Sequence, residues 1–357
     1  MLMGLEYSGE LFEQAALDQC VADTQSDDVF LTMLPEEPYI HDMAEIINMV
    51  MEVANHTGYA MVGSLGGCRR LNKTGRKYLR TLRIDSRELI SIFKNNKLSP
   101  YIGVFNRVRA AMSKAFLLSV VESDKASVTE ELEAVTFAVN FIEKAATNAV
   151  FKRYMKNYER AVKKNGTSLN GFVDDLFERH SRLLVLRLDI GYSLPYIQSQ
   201  KWNVNPERVK SDFNRFLRAM KRSRLKDALC GYVWKLEYGP TKKYHYHLMV
   251  FLDGSKHQED VVIGKELGEL WKEKITNADG TYFNCNRDKE KYKRCGVGMV
   301  SWNEGEKISN IKHAGNYLVK LDLLVRPNLP DGERTFGRSG VKKNKSTAGR
   351  PRRLKTF

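Results

Sequence analysis

His245 and His247 stand two residues apart in Tyr244-His245-Tyr246-His247-Leu248-Met249-Val250-Phe251, a run with the apolar and aromatic make-up of a β-strand. Side chains alternate across a strand, so the two imidazoles project from one face. Eight residues before His245, Glu237 lies near the end of a second strand-like run, Leu229 to Tyr238. Two neutral imidazoles and a carboxylate can hold Mg²⁺ or Mn²⁺ and leave positions open for water and a substrate oxygen. An ion held this way neutralises a phosphodiester, polarises a non-bridging oxygen and orients the group for in-line attack. A nucleophile is available seventy residues beyond His247, where Tyr317 sits in a helical pattern. Lys320 follows three residues later and shares its helix face. A phenol ionises near pH 10, so Tyr317 needs help from the ion, a base or that ammonium. Attack would leave a 5′-phosphotyrosine and a free 3′-OH, and the covalent link would keep the energy for rejoining strands.

Each part has an ordinary explanation when taken alone. An H-x-H pair in a strand is often structural, a tyrosine in an apolar helix usually packs, and Y-x-x-K is a weak pattern. The chemical reading rests on their joint occurrence, in this order and in a basic region. Glu237 is conditional on register, because a one-residue slip would turn it to the other face. His180, His257 and His313 are not expected to be ligands, although His313 is four residues before Tyr317 and could orient it.

The elements that must position these groups begin near residue 180. Leu183 to Asp189 reads as a strand apolar enough to be central. Pro206 to Arg224 is an amphipathic basic helix with Phe213, Phe216, Leu217 and Met220 inward. Gly239-Pro240 turns the Glu237 strand into the histidine strand, so the two should pair antiparallel. Asp260 to Ile275 reads as a helix, Thr281 to Cys285 and Val297 to Trp302 as strands, and Ile308 to Val325 as a helix. The order β-α-β-β-α-β-β-α predicts an α+β fold: an antiparallel central sheet with flanking helices. Tyr244 and Tyr246, alternating with the histidines, should face the opposite side and belong to the core.

A mostly helical region comes first. Residues 86–118 read as helical with a break near Pro100. Ser127 and Glu130 have capping-box spacing at the head of a helix expected to run to about Lys164 and to end at Gly166-Thr167-Ser168. The expected division is an acidic helical segment at 1–60, a mostly helical basic domain at 61–170, the sheet-bearing domain at 171–330 and a basic flexible tail at 331–357.

Charge is distributed unevenly. The 357 residues carry a net +15, which favours a polyanionic partner, nucleic acid before membrane. Residues 1–60 hold twelve Asp or Glu and no Lys or Arg, which leaves +27 on the rest. Residues 64–83 hold seven Lys or Arg, a phosphate-contacting patch or a solvated face. Five scattered cysteines without a C-x-x-C pair indicate reduced thiols, not a zinc ribbon or a disulfide framework. The first residues lack the features of a secretory signal, and no apolar run reaches the ~20 residues of a membrane span. A cytoplasmic protein without membrane association is expected.

Several motifs resemble those of a known family. Ser181 to Asp189, Gly231-Tyr232-Val233-Trp234-Lys235-Leu236-Glu237-Tyr238-Gly239, Tyr244 to His247, Tyr317-Leu318-Val319-Lys320 and Thr335-Phe336-Gly337-Arg338-Ser339 resemble the YagK/YfjJ-like prophage proteins. These are identified with relatives of the inovirus gene-two replication initiators, in the HUH endonuclease superfamily. The similarity covers about residues 175–340. It implies an HUH/Rep-like nuclease domain acting in a bacterial host, with His245, His247 and Glu237 as metal ligands and Tyr317 as the nicking tyrosine. It implies rolling-circle initiation on single-stranded DNA at a replication origin, with a host helicase or polymerase as further partner. No second tyrosine accompanies Tyr317 on its helix, so a single-tyrosine mechanism is indicated. A relaxase or single-tyrosine transposase would use the same groups, and a non-catalytic DNA-binding regulator would keep the metal site as structure. Arg187, Arg334, Arg338, Lys342 and Lys343 are the candidate DNA contacts. The acidic segment 1–60 is expected either to mask the basic surface or to recruit a partner.

Overall fold

The protein is described here as a computed structural model. It covers residues 37–55, 62–65, 68–94, 96–112, 126–201, 203–239, 242–320, 325–330 and 333–340, with two short strands, β1 (Val21–Ala22) and β2 (Leu31–Thr32). The chain divides into two compact units. One comprises residues 1–163, 238–243 and 320–330, and the other residues 164–237, 244–319 and 331–357.

The first unit is mostly helical. Helix α1 (Glu37–Asn55) buries Met43, Ile46, Ile47, Met49, Val50 and Val53. A hairpin of β3 (Val62–Leu65) and β4 (Cys68–Leu71) leads into α2 (Lys73–Leu82). Asn72 starts α2 by accepting a hydrogen bond from the Gly75 amide at 2.9 Å. Then come α3 (Ser86–Ile92), β5 (Asn96–Leu98), α4 (Pro100–Ala111) and α5 (Val128–Thr147). The break at Pro100 is a strand followed by a new helix with proline in its first turn. The capping box forms as expected: Ser127 Oγ accepts from the Glu130 amide, and the Glu130 carboxylate accepts from the Ser127 amide.

The acidic segment splits across this boundary of description. Residues 37–55 are a core helix packed on α2, α4 and α5. A detachable mask can therefore include only residues before Glu37, most of which lie outside the described residues.

Helix α6 (Ala149–Arg179) corrects a second expectation. It does not end at Gly166-Thr167-Ser168 but runs thirteen residues past Gly166, to Arg179. The interruption falls earlier, at Asn148, whose side chain accepts from the Val150 and Phe151 amides and starts the new helix. One glycine in a helix costs about 1 kcal/mol. Burial of Leu169, Phe172, Val173 and Leu176 in the following turns outweighs that.

The second unit holds a six-stranded antiparallel sheet with helices on its faces. Its strands are β6 (Arg182–Tyr192), β7 (Leu229–Gly239), β8 (Lys243–Asp253), β9 (Gly280–Asn284), β10 (Gly298–Ser301) and β12 (Phe336–Arg338). The order is β10-β6-β8-β7-β12, and β9 also pairs with β6. Strand β6 is thus central: β8 lies along one edge, and β10 and β9 share the other. Its run Leu183 to Leu188 is buried throughout, and the neighbouring Asp189 side chain is 16% exposed, as expected of a strand covered on both faces.

Between β6 and β7 lie a short helix, α7 (Leu194–Gln198), which the sequence reading missed, and α8 (Pro206–Arg222). Asn205 caps α8, and Val209, Phe213, Phe216, Leu217 and Met220 face inward at three-to-four spacing. Phe213 stacks on Tyr246 with ring centroids 3.8 Å apart, and Trp234 meets the same ring edge-on. Tyr244 and Tyr246 are accordingly core residues. On the other face, Phe172 of α6 meets Phe251 edge-on at 5.8 Å.

The rest of the sheet domain differs in detail. The expected helix over 260–275 is α9 (Asp260–Glu269) followed by a π-helical turn (Leu270–Ile275). Helix α10 (Gly305–Lys320) stops short of Val325; residues 321–324 lie outside the described residues, and β11 (Val325–Pro327) pairs with β5 in the first unit. Of the segment expected to be a basic tail, residues 341–357 lie outside the described residues. Residues 336–338 form β12 on the edge of β7, and Ser339 bonds back to Tyr232.

Candidate metal centre

Three donors converge in the second unit. Glu237 Oε2 lies 3.7 Å from His245 Nε2 and 3.3 Å from His247 Nε2. One ligand atom from each of the three residues lies within 4.8 Å of the others, so the group could hold a metal ion. An ion with bonds of about 2.1 Å at right angles places neighbouring donors about 3 Å apart, close to what is found. Glu237 Oε1 is buried and has no hydrogen-bond partner among the described residues. A buried carboxylate oxygen left this way is costly, and a cation would satisfy it. On these grounds the donor set fits a divalent metal. Its identity is open between the hard ions that carboxylates prefer and the borderline ions that imidazoles prefer.

The sheet builds this geometry. β8 puts His245 and His247 on one face, and β7 brings Glu237 to that face, so the register condition on Glu237 is met. β6 supplies a fourth residue. Asp189 is the Cα partner of His247 across the β6–β8 ladder, and its Oδ1 lies 2.6 Å from His247 Nδ1. A carboxylate on Nδ1 leaves Nε2 turned toward Glu237 and raises its basicity as a ligand, a common support for metal-bound histidines. Gly191 of β6 makes room for the other histidine: a β-carbon there would lie 3.1 Å from His245 Cβ. Asn286 braces β6 from behind, accepting from the Arg187 amide at 2.8 Å and donating to Val185 O at 2.9 Å.

Charge balance in the cluster follows from these contacts. Burial disfavours the imidazolium of His247, but the Asp189 and Glu237 carboxylates outweigh it and raise its pKa to about 10. Burial likewise opposes the charge on Glu237, yet His247 and His245 hold its carboxyl well below the usual range. Without metal, a proton on His247 does the work that a cation would do.

The other sequence candidates fall in varied places. Tyr317 and Lys320 are on α10, with the helical separation that puts them on one face; their side chains lie outside the described residues. α10 is anchored to α6 by Asn316 on Asn170 at 3.0 Å and Lys312 on Asp174 at 2.6 Å. α6 in turn packs Phe172 on Phe251, and Phe251 shares the histidine face of β8 by its period of two. His313 is exposed, with Nδ1 3.4 Å from an Arg294 nitrogen. Arg187 is not on the surface. It is 8% exposed, and its Nε lies 3.9 Å from Asp189 Oδ1. Arg334 and Arg338 are exposed; Arg338 donates to Ser168 Oγ and lies over the Phe172 ring at 5.1 Å. Lys342 and Lys343 lie outside the described residues.

Asp189 was missed as a functional residue. The signal was a lone carboxylate closing a strand otherwise apolar enough for two-sided burial, which demands a buried partner.

A family model described as the YagK/YfjJ C-terminal domain matches residues 143–339, more than half of the chain. The chain belongs to the YagK/YfjJ C-terminal domain family. The match begins about thirty residues before the similarity read from motifs, and so takes in all of α6 as well as the whole sheet. The metal cluster and α10 lie inside the YagK/YfjJ domain. No curated protein and no solved structure matches the chain. Among the described residues no helix is long and apolar enough to cross a membrane.

Proposed function

We propose that this YagK/YfjJ-family protein is a metal-dependent endonuclease of the HUH type, which nicks single-stranded DNA at a replication origin with Tyr317 as nucleophile. The observation that carries the reading is the buried Glu237–His245–His247 group with its Asp189 support. A divalent cation bound there supplies Lewis-acid charge neutralisation at the scissile phosphate. The chain's own residues do the rest. Asp189 holds the His247 ring, and β6, β7 and β8 fix the donors before substrate arrives. Tyr317 attacks the phosphorus in line, and its phenolic proton passes through solvent to the 3′-oxygen that leaves. Lys320, one turn on, favours the phenolate and meets the phosphate charge. The phosphodiester bond breaks to release a 3′-OH, and the phosphate remains on Tyr317.

Tyr292, which feels the charges of Arg187 and Asp189, is pushed well above its ordinary pKa by burial and then by Cys285. Tyr192 is raised by burial and then by Asp212, to which it donates at 2.9 Å.

The test uses labelled single-stranded DNA pooled from the protein's own replicon. A covalent adduct that survives denaturant, requires Mn²⁺ and is lost in Tyr317→Phe is expected. No adduct from a pool that contains the origin would favour a non-catalytic DNA-binding regulator whose metal group is structural.

A further inference from the structure

The basic stretch at 64–83 is independent of the metal cluster and lies in the first unit. Five of its seven charges are surface charges. Arg69 and Arg70 of β4 and Lys73, Arg76 and Arg80 of α2 are all exposed. Among the described residues none of the five has an acidic partner, and the Arg76 side chain donates to the Leu71 carbonyl. The neighbours that could have neutralised them are engaged elsewhere. Glu52 pairs with Lys77 at 2.7 Å, Asp85 with Arg87 at 3.0 Å and Glu131 with Arg83 at 3.7 Å. Lys73, Arg76 and Arg80 fall at i, i+3 and i+7, one stripe about 10 Å long. The opposite face of α2 is anchored by buried Tyr78, Leu79 and Leu82. The first turn of α2 has no acidic residue, so the helix dipole adds to the field. β4 runs directly into α2 through Asn72, which joins the two basic elements rigidly.

We propose that this hairpin–helix surface binds the phosphate backbone of double-stranded DNA. No aromatic side chain is exposed on the described hairpin and helix, which favours duplex over single strand. The only aromatic residue between 62 and 85 is Tyr78, and it is fully buried, whereas single-strand binders present aromatic faces to splayed bases. An exposed basic helix fits the width of a duplex groove. Its arginines and lysines set position, not sequence. The assignment does not rest on the nuclease reading, because no metal or tyrosine takes part.

The experiment measures the full-length protein on a random-sequence 30-base-pair duplex across KCl concentrations, in EDTA so that no cleavage enters. Each backbone cation contributes about −0.9 to the slope of log K against log salt. Lys73→Gln/Arg76→Gln/Arg80→Gln should weaken duplex binding at least tenfold at low salt and flatten the slope by about 3. Arg69→Gln/Arg70→Gln, on the other element, should flatten it by about 1, because successive side chains of β4 point to opposite faces and one of the two can lie on the duplex side. A Lys73→Arg control should keep both affinity and slope. Unchanged affinity and slope in the two neutralised variants would overturn the proposal. So would an equal or greater loss on a single strand of the same sequence.

Discussion

Asp189→Asn is the sharpest test of how the metal cluster is built. The side chain keeps its shape and its oxygen, so it can still accept from His247 Nδ1, now 2.6 Å from Asp189 Oδ1. What it loses is the charge that first offsets burial of the His247 imidazolium. Supporting carboxylates of this kind are worth about 10- to 100-fold in metal affinity. Asparagine retains orientation, so the lower figure applies: Mn²⁺ affinity about tenfold weaker, or about 1.4 kcal/mol. Asp189→Ala also frees the ring to rotate and should approach the full 100-fold, about 2.7 kcal/mol. Isothermal titration with Mn²⁺ reads both, with circular dichroism to show that the sheet is intact. Equal Mn²⁺ affinity in wild type and both variants would mean that His247 is not a ligand oriented through Nδ1.

Further expectations follow from the same geometry. His247 must be neutral to bind a cation, and its metal-free pKa is about 10; apparent Mn²⁺ affinity should therefore rise about tenfold per pH unit between about pH 6 and 8, and a flat profile would contradict the raised pKa. In EDTA, His247 gives stability that is fully present below its ordinary 6.5 and lost as pH climbs through about 10, while depressed Glu237 gives stability present above its ordinary 4.5. The thermal advantage of wild type over His247→Gln should thus be larger near pH 5.5 than near pH 9.5, roughly the two ends of that window, and melting curves that reverse the order would refute it. Gly268→Ala drives a β-carbon of α9 into the Tyr282 ring and should cost about 1–3 kcal/mol, seen as a lower Tm with Mn²⁺ affinity unchanged.

Much of the sheet domain was legible because its signals are local. Apolar and aromatic runs marked β6, β7 and β8, and the H-x-H pair needed only a period of two to share a face. Glu237 needed the register of β7 against β8, which only the folded sheet supplies. Asp189 is fifty-eight residues from His247 in sequence and adjacent to it across the ladder, so no spacing rule could pair them. Gly166 was read as a stop because glycine is a poor helix former, but the apolar face beyond it was worth more. β12 was hidden in a basic, glycine-containing stretch, where three residues gain their strand geometry only from the edge of β7. Arg187 carried a charge that suggested DNA, yet its central position in β6 buries it. The conversion of a basic stretch into an exposed stripe on α2 likewise needed the packing of Tyr78 and Leu82.

The most direct measurement of the central claim is the site of attachment. After incubation with Mn²⁺ and origin-containing single strands, the protein is digested and the peptide that carries the phosphonucleotide is located by mass spectrometry. The account predicts a single modified residue, Tyr317. A nucleotide on Tyr292, on any other residue, or on none despite cleavage of the DNA would contradict it.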